Sequence, residues 1–115
     1  MGAPITHVEI QSKQQKKLLD FYSKLFDWHM DTNNPMGYAM VDTHAGKGIG
    51  AGIGPTQNGK NFITFYVDVD DLEATLKKAE GLGARTVLKP TQTGPVTVAM
   101  LADPEGNVIG LAKGM

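Results

Sequence analysis

The stretch Ile5-Thr6-His7-Val8-Glu9-Ile10 returns in outline as Phe62-Ile63-Thr64-Phe65-Tyr66-Val67, and the residues after each copy decide the fold. In the first copy Val8 and Ile10 alternate with His7 and Glu9, the period-two pattern of a strand with one apolar and one polar face. Ser12 and Gln15 have the spacing of a capping box, and Leu18, Leu19, Tyr22, Leu25 and Phe26 come next at helical spacing, to a stop near Asp27. Three strand signals complete the unit: Trp28 to Asp31, Gly37 to Val41 after the Asn33-Asn34-Pro35 turn, and Ile49 to Gly54 after a Gly-rich loop at 43–48.

The second copy repeats the order. Phe62 to Val69 is aromatic and β-branched, so it predicts a strand. Asp70 and Glu73 form an acidic capping box. Leu72, Leu76, Ala79 and Leu82 share a helical face, and Gly81 and Gly83 stop the helix. Strands are expected at Ala84 to Leu88, ended by Pro90, then at Val96 to Leu101, and at Val108 to Ala112 after the Asp103-Pro104-Glu105-Gly106-Asn107 turn. Val8, Ile10, Leu19 and Leu25 match Phe65, Val67, Leu76 and Leu82 at an offset of 57. Ala39-Met40-Val41, Gly46 and Gly50 match Ala99-Met100-Leu101, Gly106 and Gly110 at an offset of 60. Ordered matches of this kind indicate an internal repeat. The expectation is an α+β fold of two tandem βαβββ modules, about 1–57 and 58–115, within one domain.

Composition narrows the function classes. The chain has 115 residues, 41% hydrophobic and 20% charged, with a net charge of −1. These values suit a packed core. No basic stripe with stacking aromatics marks a nucleic-acid surface, and the lysines from 13 to 17 read as a solvated helix start. The absence of cysteine excludes disulfides and thiol chemistry. No apolar run is long enough to span a bilayer, and no secretory signal precedes the first strand, so a cytoplasmic location is expected.

These residues together resemble the vicinal-oxygen-chelate superfamily, which includes glyoxalase I, bleomycin-resistance proteins, fosfomycin-resistance enzymes and extradiol dioxygenases. The resemblance is carried by Ile5 to Ile10, Phe21-Tyr22-Ser23-Lys24-Leu25-Phe26-Asp27-Trp28, Val69-Asp70-Asp71-Leu72, Gly81-Leu82-Gly83-Ala84 and Asp103 to Asn107. It implies that the modules' strands form an incomplete barrel around a cleft, and that the chain is a homodimer. It also implies metal ligands on the first and last strands of each module. His7 stands at one such position. Thr64, Gly50 and Gly110 stand at the other three and offer little or no coordination, so the resemblance implies a site without a bound metal and without another cofactor.

The candidate residues follow from strand parity. His7 is the candidate acid–base, with Glu9 on the same face to orient it. Thr64 and Tyr66 are expected on the cleft face, with Ile63, Phe65 and Val67 turned toward the helix. Tyr38, Met40 and Met100 are candidate ligand-lining residues, the methionines for their deformability. Trp28 is expected to close the base of the helix. Gly46, Gly48, Gly50, Gly52 and Gly54 lack the strand, helix and Lys-Ser or Lys-Thr context of a phosphate loop, and read as sites of close backbone approach. The leading function is a binding protein for a small organic ligand, of the bleomycin-resistance kind. The alternatives are a metal-dependent lyase, isomerase or dioxygenase, a metal-free enzyme using His7, and a structural or regulatory dimer.

Overall fold

A computed structural model describes residues 2–114. They contain eight strands and two helices, and they group into two compact units, residues 7–63 and residues 2–6 with 64–114. Helices and antiparallel strand pairs are present in both units, which makes the class α+β.

The first module comprises β1 (Ile5–Ser12), α1 (Gln15–Phe26), β2 (His29–Asp31), β3 (Ala39–Asp42) and β4 (Gly50–Pro55). Its strands lie in the order β2-β3-β4-β1, with β1 parallel to β4 and the other pairs antiparallel. Ile10, Ala39, Val41 and Ile53 turn to one face and pack with Leu18, Leu19, Tyr22, Trp28, Met30 and Ala51. Trp28 stacks on Tyr22 with ring centroids 5.5 Å apart and closes this core at the helix exit. Leu25 and Phe26, expected on the buried stripe, are more than half exposed. α1 ends at Asp27 in the left-handed conformation, and this redirects the chain before that turn reaches the sheet.

The capping box at Ser12 does not form. β1 runs through Ser12, so its hydroxyl accepts from the Gln14 N–H in a short turn while Gln14 becomes the N-cap without a side-chain cap. Gln15 instead sends its amide to the carbonyls of Gly37 and Ile53, at 2.7 and 2.8 Å.

The second module comprises β5 (Phe62–Asp68), α2 (Leu72–Gly81), β6 (Arg85–Thr93), β7 (Val96–Ala102) and β8 (Val108–Lys113). The order is β5-β8-β7-β6, again with the first strand parallel to the last. Leu72 and Leu76 of α2 bury against Ala99, Leu101 and Leu111. The N-cap is Asp71, one residue later than the capping box implies, and its carboxylate accepts from the Ala74 N–H at 3.0 Å. Leu82 lies past the helix end and is 71% exposed, so it is not part of the buried stripe. Ile63 is also exposed, at 67%, and of the three residues expected to face the helix only Val67 joins its core.

β6 continues through Pro90 rather than ending before it. Among the described residues it is paired along one edge only, to β7, with register shifts on either side of Leu88. A missing N–H is tolerated at such an edge. The Asp103 carboxylate closes the β7–β8 turn by accepting from the Glu105 and Asn107 N–H groups and the Asn107 amide. Those donors, the Asn107 side chain first, hold its pKa below the usual carboxylate value.

Candidate functional site

The face of the first module away from α1 is polar, and three alternate residues of β1 build it. His7 and Glu9 are buried, at 4% and 9% exposure, and Gln11 lies next on the same face. Alternation along β1 sets this direction: Ile10 goes to the helix side, and its odd-numbered neighbours go to the other.

These side chains meet through Tyr38. Its hydroxyl lies 2.8 Å from His7 Nε2 and donates to Glu9 Oε1 at 3.1 Å. The Gln11 amide donates to Glu9 Oε2 at 3.0 Å. A phenol has one proton, and here it goes to the carboxylate. With that proton directed to Glu9, the contact between His7 Nε2 and the Tyr38 oxygen matches the Nε2–H form of the neutral ring, an assignment that follows from hydrogen-bond matching. Burial lowers the His7 pKa, and the negative charge of Glu9 opposes this as the smaller effect. The imidazole is thus neutral at pH 7, and the arrangement suits hydrogen bonding and proton exchange with a bound molecule.

The turn before β3 fixes Tyr38. The Asn34 side chain accepts from the Tyr38 N–H at 3.2 Å and donates to its carbonyl at 2.5 Å. The ring lies across Gly52 and Gly54 of β4. A Cβ at Gly52 would overlap the Tyr38 hydroxyl and ring, and one at Gly54 would also crowd the ring. Close approach is therefore what two of the alternating glycines provide. Met40 pairs with Gly52 and is 47% exposed.

In the second module Thr64 and Tyr66 share the sheet face opposite α2. Thr64 is buried and donates to the Val108 carbonyl at 2.9 Å. Tyr66 packs with Val98, Ala112 and Val96, its ring over Gly110, where a Cβ would strike it. Met100 is buried and pairs with Gly110. The four expected ligand positions do not keep one register. His7 pairs with Gly50, but Gly110 pairs with Tyr66 rather than Thr64. The second module is offset by two residues, an even shift that keeps every side chain on its face.

His29 and His44 come together instead of joining His7. Their ring centroids are 5.8 Å apart, and both line an open hollow of about 540 Å³ together with Asp42, Lys47 and the glycine loop. His44 Nε2 is 3.6 Å from Asp42 Oδ2. Register places His29 opposite Asp42, a juxtaposition that depends on the β2–β3 turn and is not readable from spacing. Among the described residues no group of three or more His, Cys, Asp or Glu side chains is arranged to hold a metal ion.

The residues at the four expected ligand positions do not fit a divalent cation. Gly50 and Gly110 bring no donor. Thr64 gives its proton to a backbone carbonyl. His7 Nε2 is already paired with the Tyr38 hydroxyl at 2.8 Å, and a single imidazole falls short of the three or four ligands of a tight site. Parity indicates the His7–Glu9 face, but the part of Tyr38 in joining them is not visible in sequence. Gln11 was open to the same parity argument.

The fold has many solved counterparts. One is a methylmalonyl-CoA epimerase in complex with methylmalonyl-CoA and NH4+, with a TM-score of 0.66 and 19% identity, covering 97% of this chain and 94% of that one. The methylmalonyl-CoA epimerase from Mycobacterium tuberculosis gives 0.65 at 18% identity, covering 96% and 87%. A hypothetical protein from Bacillus halodurans gives 0.72 at 15% identity, covering 100% and 96%. At these identities the likeness shows the fold alone. No curated protein matches the chain in sequence. The glyoxalase-like domain family matches residues 7–112, so nearly the whole chain is accounted for, and it belongs to that family within the vicinal-oxygen-chelate superfamily.

Proposed function

We propose that this chain is a small-molecule binding protein that holds an organic ligand by hydrogen bonds to His7, Glu9 and Tyr38, without a resident divalent cation. The observation that carries the reading is the Tyr38 hydroxyl, bonded at once to His7 Nε2 and Glu9 Oε1. It gives a site rich in donors and acceptors but poor in metal coordination. Gln11 positions the carboxylate, and Met40 supplies adaptable apolar contact beside it. In the second module the proposed ligand-facing residues are Thr64, Tyr66 and Met100. The protein acts in the cytoplasm as a homodimer. Its described helices are all too short or too polar to cross a membrane.

Thermal-shift screening and then equilibrium dialysis test this. The set should span metabolites, acyl-CoA esters and antibiotics, since two fold neighbours are named as epimerases of a CoA ester. A ligand is expected whose affinity falls roughly tenfold or more in His7→Ala, the usual cost of losing a hydrogen bond to a buried partner. A broad set without a stabilising ligand, or a ligand indifferent to His7→Ala, removes the reading.

The neutral, buried imidazole favours a second reading, in which His7 exchanges a proton with the ligand as a metal-free general base. It requires turnover that His7→Ala abolishes while ligand binding persists.

A further inference from the structure

The superfamily resemblance implies a cation position beside the first strand, and this chain has His7 there with Glu9 on the same face. We propose that Tyr38 is a built-in occupant of that cation position. Its hydroxyl takes the coordination space between His7 and Glu9, and its ring takes the space through which a side chain at position 52 would reach the same point. This deepens the metal-free part of the proposed function and rests on it, while the identity of the ligand does not enter.

Four observations converge. The hydroxyl oxygen lies 2.8 Å from His7 Nε2 and 3.1 Å from Glu9 Oε1. A zinc-like ion bound to that nitrogen would sit about 2.0–2.1 Å out along the same direction, inside the contact radius of the phenol oxygen. Gly52 pairs with Glu9 across β1 and β4, so its side-chain direction serves the same face. Its φ is not positive, so nothing in its backbone demands glycine. What demands it is the Tyr38 ring, into which a Cβ would run. Finally, the ring is anchored from behind. Asn34 brackets the Tyr38 backbone, and Gln15 ties the carbonyls of Gly37 and Ile53 together, fastening the segment before Tyr38 to β4. The hydroxyl thus gives His7 and Glu9 the electrostatic partner that a cation gives such a pair elsewhere, and glycine at 52 is the companion of that tyrosine.

Cobalt titration tests the inference, read by visible absorption of bound Co2+ and by zinc competition against a chromophoric chelator. Folding of each variant is checked by circular dichroism. Wild type is expected to bind Co2+ through His7 only weakly. Tyr38→Ala combined with Gly52→Glu opens the position and adds a carboxylate. It is expected to take one Co2+ per chain about a hundredfold more tightly than wild type, and to lose it when His7→Ala is added. Tyr38→Phe keeps the ring and removes only the oxygen, and is expected to gain His7-dependent binding of roughly tenfold. This decides the matter if the double variant does not fold. Two results overturn the inference: folded opened variants that bind no more tightly than wild type, or a wild-type Co2+ site that Tyr38→Phe abolishes, which would make Tyr38 a ligand. The first result leaves the proposed function untouched; the second would also remove its metal-free part, while the ligand screen tests ligand binding independently of both.

Discussion

His7 links burial to pH. Its folded pKa lies below the ordinary 6.5 because desolvation disfavours the charged ring more than Glu9 favours it. A base with a depressed folded pKa leaves stability intact above its unfolded pKa. As pH falls below about 6.5 the unfolded chain takes up a proton that the folded chain still refuses, and stability is lost until the folded pKa is passed. Urea denaturation from pH 7.5 to 5 should therefore show a falling midpoint, with at most about 1.4 kcal/mol lost per pH unit from this one site. In His7→Gln that part of the slope should vanish; an unchanged slope would show that burial of His7 is not its source. Strand parity made His7 and Glu9 legible as neighbours on one face. Their bridge was not legible, because Tyr38 is distant in sequence and reaches them only by lying flat on β4. The trace it leaves is the glycine at 52 and 54, which reads as close approach without saying what approaches.

The two helices start differently, and the difference is measurable. α2 begins with Asp71, whose carboxylate accepts from the Ala74 N–H, and Glu73 adds negative charge in the first turn. α1 begins with Gln14, with no side-chain cap and no acidic residue in its first turn. Asp71→Ala should cost about 1 kcal/mol, and Gln14→Asp should gain about 0.5–1 kcal/mol, both read from chemical denaturation. If Gln14→Asp is neutral, the N-terminal N–H groups of α1 are already served by the turn at Ser12. Element type and order were legible because 2- and 3.6-residue periods differ sharply. The starts were not, because Ser12 has the chemistry of a cap but belongs to β1, and Asp70 and Asp71 offer two caps one residue apart. The end of β6 was misplaced for a related reason. Proline breaks a strand that is paired on both sides but not an edge, and edge status is set by the order of strands rather than by the local sequence.

At the scale of the molecule the repeat is a physical fact. Each module sets its first strand parallel to its last, and each closes one sheet face with its helix. The offsets of 57 and 60 made this legible, but they could not give the register of β5 on β8, in which Tyr66 rather than Thr64 pairs with Gly110 and its ring lies over that glycine. α1 itself leaves apolar surface uncovered. Phe21 and Leu25, one turn apart on α1, are 54% and 56% exposed, and Phe26 is 53% exposed. Contiguous apolar surface of this kind is normally removed from water by association. The proposed homodimer has the same logic, and mass settles it. Light scattering on the eluting protein, or sedimentation equilibrium, should give about twice 12.3 kDa across the micromolar range. A mass that stays at 12.3 kDa up to the highest soluble concentration would mean that one chain tolerates this surface in water, and ligand binding would then have to be complete within a monomer.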